Sequence, residues 1–267
     1  MTSLVAWVGV DSRLPSSLNF ASDSRVSWPD GTTWDFGRKV FACEKSPHIL
    51  AYIGDVLFAS IVVGQVASSI DAGALFRMDA APAEQFRAVV AAVQASFGAL
   101  PQPQRRTFTL LLGLREGERM ALQFHLFSLG WSAEYGWNES TVVMPKRSAA
   151  LQILGSGNVI VSEWHGRWEQ SSQAGTSRAI FSAFCDALQS KVDPRTGGAP
   201  QLVQLYRQGP AAPAGVVYQG RPYLLGLPLH APDAPETIQW RNELFERCDL
   251  TGKVLKNAQK HGRPKGL

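Results

Sequence analysis

The order in which the chain changes its hydrophobic period constrains the fold more than any single residue does. Apolar and β-branched runs occupy residues 3–10, 18–26, 39–42 and 49–53, broken by a turn-like segment at 11–17 and by Pro29, Asp30 and Gly31. Such runs between turn residues read as strands. Helical spacing then appears twice. Residues 55–70 are apolar nearly all round (Leu57, Phe58, Ile61, Val62, Val66), which predicts a helix buried on several sides. Phe86, Val89, Val90, Val93 and Phe97 follow Pro82 at helical spacing as far as about Gly98. Strand patterns return at 107–114, 120–127 and 149–154. Two more helices are predicted, over about 177–191 and 200–207, before strands around 216–227. Runs of strands followed by runs of helices, rather than strict alternation, imply an α+β fold with antiparallel sheets.

At 267 residues the chain fits one large domain, or a domain with an extension. Its 45% hydrophobic and 18% charged content excludes disorder over most of its length. The richest apolar stretch, residues 56–67, is too short to cross a bilayer, and no secretory signal pattern opens the chain, so a cytoplasmic protein is expected. The net charge of +4 is misleading as a whole. Lys253, Lys256, Lys260, Arg263 and Lys265 fall in the last seventeen residues with no acid among them, which leaves −1 for the remainder. A basic domain surface for nucleic acid is therefore not expected, and the tail reads as a solvated extension. Cys43, Cys185 and Cys248 are far apart and odd in number, and the five histidines show no ligand spacing, so neither a disulfide framework nor a metal is expected. No cofactor motif is present: Gly155-Ser156-Gly157 has Ile160 where a dinucleotide fingerprint needs a third glycine.

Thr2 carries the chemistry. A small residue after Met1 allows an aminopeptidase to remove the methionine, leaving Thr2 with a free α-amine beside its own hydroxyl. That amine has a reference pKa of about 7.7–8.0 and serves as a general base near neutral pH. One residue then supplies nucleophile and base. Such a site needs a nearby cation, a carboxylate to orient it, and backbone N–H groups facing the developing oxyanion. Asp23, in Ala21-Ser22-Asp23-Ser24-Arg25, and Lys39, sixteen residues later in Arg38-Lys39-Val40, are the candidate carboxylate and cation.

Three further landmarks follow in order: Ile49-Leu50-Ala51-Tyr52-Ile53-Gly54-Asp55, Gly155-Ser156-Gly157, and Asp193-Pro194-Arg195-Thr196-Gly197-Gly198. Taken singly each is ordinary: a turn aspartate, a surface lysine, a flexible turn, a helix stop. Together with Thr2 and in this order, over about residues 2–225, they resemble the proteasome β-subunit family and its HslV-like bacterial relatives. The resemblance implies a four-layer αββα sandwich of two antiparallel sheets, with a hydrolase domain at 1–228 and a C-terminal extension with a basic tail at 229–267. It implies Thr2 as nucleophile and Asp23 and Lys39 as its orienting pair. Ser156, Asp193 and Thr196 become a supporting network, and Gly54 the oxyanion turn, unless the correspondence shifts by one and the Asp55 N–H is the donor. It further implies threonine peptidase activity on polypeptides inside a homo-oligomeric ring, with an ATPase unfoldase as a candidate partner and no role for nucleic acid or membrane. The same family hosts inert ring subunits, and the fold hosts amidases and transpeptidases, so these readings stay open here.

Overall fold

The first strand carries almost no polar position, Ser-Leu-Val-Ala-Trp-Val-Gly-Val-Asp, and so needs burial on both of its faces. In the computed structural model, which describes residues 2–230, 237–260 and 262–267, β1 (Ser3–Asp11) and β2 (Leu14–Ser22) form an antiparallel hairpin. A separate ribbon pairs β3 (Val26–Ser27) with β4 (Thr33–Trp34). Next come β5 (Val40–Ala42), β6 (His48–Gly54), α1 (Leu57–Asp71), α2 (Pro82–Ala99), β7 (Phe108–Glu116), β8 (Gln123–Ser132) and β9 (Gly136–Val142). They are followed by β10 (Ala149–Gly155), α3 (Asn158–Glu169) and α4 (Ser177–Ser190). The last strands are β11 (Gln201–Tyr206), β12 (Ala212–Tyr218), β13 (Arg221–Leu224), β14 (Leu227–Pro228), β15 (Trp240–Asn242) and β16 (Arg247–Cys248).

Strands β5 to β9 pair in sequence order as an antiparallel sheet of five. The larger sheet runs β10-β1-β2-β11-β12-β13-β14, with β15 joined to β12 and β16 to β15. Side chains alternate across each strand, and that alternation sorts the apolar residues into layers. Leu4, Ala6 and Val8 of β1, Leu18 and Phe20 of β2, and Ile49 and Ala51 of β6 meet between the two sheets. Leu50, Tyr52, Leu110 and Leu112 point the other way, onto Phe58, Val62, Val66, Val89, Val93 and Phe97 of α1 and α2. Val5 and Trp7 face Ile180, Phe181 and Phe184 of α4. Helices thus cover the outer face of each sheet: the chain is an α+β, four-layer αββα sandwich. On the face of β7 turned to the other sheet lies Gly113, at which a Cβ would stand 2.7 Å from Leu18 of β2 and 2.9 Å from Ile49 of neighbouring β6.

The helix boundaries follow local chemistry. Pro82 opens α2, and the Thr176 hydroxyl accepts from the Ala179 N–H at the start of α4. At the head of α1 the Asp55 carboxylate accepts from the Phe58 N–H at 2.8 Å. That helix buries one side, not several: Leu57 and Ile61 are 66% and 52% exposed. No helix among the described residues is long and apolar enough to cross a membrane.

Three expectations need correction. Residues 200–207 form strand β11 rather than a helix, because Leu202 packs under α4 while Val203 and Leu205 fill the space between the sheets. The second helical pair is instead α3 and α4. The segment 11–17 is mostly strand, turning only at residues 12–13. Trp240, Leu244 and Phe245 have helical spacing, yet Trp240 lies in β15, parallel to β12 and against Gly215, where a Cβ would meet the indole at 2.4 Å. Phe245 then packs on Trp7 and Phe181, with ring centroids 5.9 and 5.3 Å away. Finally, the basic tail is docked rather than solvated at two points: Arg263 reaches Asp186 of α4 at 2.5 Å, and Leu267 packs in the Trp168 cluster. Phe245, Arg263 and Leu267 therefore all contact the α4 side of the sandwich.

His48, buried on β6, has its Nε2 2.6 Å from Gln85 Oε1. Gln85 Nε2 donates to the Ala80 carbonyl, which fixes the amide so that His48 Nε2 is the donor. Burial pushes the imidazole below its ordinary value of 6.5, against a smaller raising effect from Gln85. Below that value the unfolded chain takes up a proton that the folded chain refuses, so stability falls as pH drops. Melting at pH 7.5 and pH 5.5 should show the loss, and His48→Phe should make the two melting temperatures more nearly equal.

Candidate active site

The β1–β2 hairpin carries the first residues of the chain to the end of β2. There the Asp23 N–H donates to the Ser3 carbonyl at 3.1 Å, and the Ser3 N–H donates to Asp23 Oδ1 at 2.9 Å. The Ser22 hydroxyl closes on the same Ser3 carbonyl at 3.0 Å. The carboxylate of Asp23 is therefore fixed one residue from Thr2. Lys39, just before β5, comes from the other sheet: its Nζ lies 2.7 Å from Asp23 Oδ1 and donates to the Arg25 carbonyl at 2.5 Å. Both side chains are fully buried. Burial depresses the lysine's proton affinity, and the facing Asp23 charge opposes that effect without cancelling it.

The remaining landmarks wrap this pair. Asp23 Oδ2 accepts the Gly197 N–H at 3.1 Å, and the Gly197 carbonyl accepts from the Ser24 and Arg25 amides. The Gly197-Gly198 dipeptide has a steric reason. A Cβ on Gly197 would stand 2.7 Å from the Arg25 guanidinium carbon; on Gly198, at φ +71°, it would meet the Ser24 hydroxyl at 2.3 Å. At the other side, Gly155 faces Ser3 in the β1–β10 ladder, and its φ is +93°. A Cβ there would collide with the Thr2 carbonyl, and one on Gly157 with the Ser3 hydroxyl. The same Gly157 position is 3.1 Å from the Thr196 methyl, so the two glycine loops meet over the N-terminal strand.

Of the residues expected in the site, Asp23 and Lys39 are in direct contact. Thr2, Ser156 and Thr196 gather around them through Ser3, Gly155, Gly157 and Gly197. Thr2 is buried and its hydroxyl has no hydrogen-bond partner among the described residues; the same is true of the Ser156 hydroxyl and of Asp193 Oδ2. The Asp193 carbonyl accepts from the Thr196 N–H and hydroxyl, at 3.2 and 3.4 Å. Asp193 and Thr196 also line a surface cavity of about 490 Å³ together with Arg25, Lys191 and Tyr223. Gly54 ends β6 at φ +92°, and a Cβ there would collide with the Thr107 carbonyl and the Phe108 backbone. The neighbouring Asp55 N–H is already donated to the Thr107 carbonyl at 2.9 Å, so it is not free to serve an oxyanion.

Sequence reasoning missed Asp35. Its carboxylate holds the Arg25 guanidinium with two bonds of 2.7 and 2.8 Å, while Arg25 Nη1 reaches the Pro194 carbonyl at 3.0 Å. This fork ties the Asp193–Gly198 loop to the end of β2. The Arg25 in the Asp23-Ser24-Arg25 motif was the only available signal, and it did not say which acid would pair.

No protein-family model matches the sequence, and no curated protein matches it. Among solved structures the chain is similar to HslV from Trypanosoma brucei, at 12% identity and a TM-score of 0.48, over 76% of this chain and 99% of that one. It is also similar to BPH from Thiobacillus denitrificans, at 13% identity and TM-score 0.49, over 78% of this chain and 99% of that one. The complex of Thiobacillus denitrificans BPH with epoxomicin gives 14% identity and TM-score 0.49, over 78% of this chain and 100% of that one. At these identities and scores the likeness transfers no function, and the site stands on its own geometry.

A buried ion pair is costly to break one-sidedly, because the surviving charge keeps its desolvation penalty and loses its partner. Lys39→Met should lower the unfolding free energy by about 3–5 kcal/mol. Adding Asp23→Asn to that variant should cost less than the sum of the two single losses. Guanidinium unfolding of the four proteins measures this, and strict additivity would show that the two groups do not act as a pair.

Proposed function

We propose that the chain is a threonine peptidase of the N-terminal-nucleophile type, with Thr2 as nucleophile once Met1 has been removed. The observation that carries this reading is the buried Asp23–Lys39 pair, held by Asp23 to the residue after Thr2, together with a buried Thr2 hydroxyl that has no hydrogen-bond partner among the described residues. An interior lysine is expensive to keep, and a cation next to a hydroxyl and an α-amine gives that expense a chemical use.

In this reading the Thr2 hydroxyl attacks the scissile carbonyl and its proton passes to the α-amine. Lys39 keeps that amine neutral by like-charge repulsion, while Asp23 holds Lys39 in place. The C–N bond then breaks, the proton leaves with the departing amine, and an ester joins the acyl group to Thr2. Water cleaves the ester, releasing the acid and restoring the hydroxyl. Ser156, Asp193 and Thr196 provide the polar surround of the amine, and the Gly54 N–H serves the oxyanion. We assign residues 1–228 to the hydrolase domain and 229–267 to an extension. The substrate is polypeptide, and the protein works in the cytoplasm as a homo-oligomeric ring, with an ATPase unfoldase as a candidate feeder. Support for the ring comes from α1, whose exposed Leu57 and Ile61 leave apolar surface for a neighbouring subunit.

The Thr2 hydroxyl makes no hydrogen bond among the described residues, so Thr2→Ala should fold normally while abolishing turnover of a fluorogenic peptide panel. Lys39→Ala should lower turnover by at least about 10²-fold, roughly 2.7 kcal/mol of barrier. Protein from its native host should also weigh one methionine less than the full chain. A retained methionine would overturn the reading in favour of an inert ring subunit, and turnover unchanged by Thr2→Ala would overturn it in favour of a different nucleophile. Light scattering tests assembly separately: a mass near 29.1 kDa would rule out the ring.

A further inference from the structure

The Asp23–Lys39 pair spans two sheets. Asp23 follows β2 in the larger sheet and Lys39 precedes β5 in the smaller one, and no strand ladder joins β2 to β5. A 2.7 Å contact between side chains on separate sheets drifts with every small movement of one sheet over the other, unless something ties their backbones together.

Gln201, the first residue of β11, supplies that tie. It is fully buried. Its Oε1 accepts the Lys39 backbone N–H at 3.0 Å, and its Nε2 donates to the Asp23 carbonyl at 2.9 Å and to the Gly37 carbonyl at 2.8 Å. The β2–β11 ladder sets Gln201 directly opposite Ser22, which delivers the carboxamide to the end of β2. Both amide protons and the oxygen are engaged, so the group has a fixed orientation: a flipped carboxamide would set oxygen against two carbonyls and N–H against N–H. One planar group thus fixes the backbone of the acid, the backbone of the lysine, and the loop entering that lysine.

We propose that Gln201 is a positioning residue of the candidate active site, acting through Lys39 by holding it in register with Asp23 rather than by touching substrate. The proposal rests on the reading of Lys39 as the cation that serves Thr2. It predicts a loss in kcat without a loss in binding, because the groups that contact substrate are untouched.

The test is Gln201→Met, which keeps the length of the side chain and removes its three hydrogen bonds. With a fluorogenic peptide, kcat should fall by about 10²-fold while KM stays within about twofold. In protein labelled at the lysine ε-carbon, the titration midpoint of Lys39 followed by NMR should move by about one unit between the unaltered protein and the variant. A folded Gln201→Met with unchanged kcat and unchanged Lys39 titration overturns the proposal, as does an equal change in kcat and KM with no titration shift. Should the variant not fold, hydrogen exchange on the unaltered protein decides. Carboxamide protons of Gln201 that exchange as slowly as the Lys39 amide uphold the tie, and exchange at the rate of an exposed glutamine refutes it. The titration and exchange need no turnover, so they still judge Gln201 if the protein proves not to be a peptidase. In that outcome the unaltered protein is inactive as well, whereas failure of Gln201 alone leaves both proteins equally active.

Discussion

Everything near Thr2 is arranged around a lysine removed from water. An ammonium removed from water is tolerable only beside an opposite charge and with its donors used. Lys39 meets Asp23 and the Arg25 carbonyl, and Asp23 in turn takes the amides of Ser3, Arg25 and Gly197. Each amide belongs to a different segment or turn, so satisfying one buried charge pins the start of β1, the end of β2 and the loop after α4 to one another. The polar demands of the pair, more than any apolar contact, determine where these loops lie.

The glycines show the same constraint from the steric side. Gly155, Gly157, Gly197 and Gly198 sit where a Cβ would strike Thr2, Ser3, Arg25 or Ser24. One glycine loop is thus close-packed against Thr2 and Ser3 and the other against Ser24 and Arg25, a geometry that leaves no room for side chains at those positions.

How much of this was legible in the sequence differs by element. The antiparallel α+β class followed from the order of periods, and β1 could be read because a strand buried on both faces is almost wholly apolar. Strand β11 was misread because Leu202, Val203 and Leu205 suit a short helix as well as a two-faced strand, and only the register with β2 separates them. Helix α3 was absent from the periodic reading because it buries only Val161 and Trp168 and so shows little apolar stripe. Trp240 and Phe245 have helical spacing by accident, and what fixes them is the bare surface at Gly215 and the rings of Trp7 and Phe181. In the candidate site, the short motifs around Asp23, Lys39, Gly155 and Gly197 were visible because their glycines and charges are unusual in strands and turns. Asp35 and Gln201 were not visible, since an acid in a loop and a glutamine at a strand start carry no signature until the partner is known.

The Gln201 tie also orders events in time. Its bonds to Lys39 and Asp23 span 162 and 178 residues, and the Gly197 amide reaches the same carboxylate across 174. Contacts of such separation close late, because a long loop must be ordered before they repay the loss of chain freedom. On a ribosome the acid and the lysine emerge early and wait, without their clamp, until residue 201 has left the tunnel. A chain interrupted before that point holds Thr2, Asp23 and Lys39 but not the carboxamide that ties the backbones of the last two. The tie between the two sheets is therefore among the last contacts of this region to close.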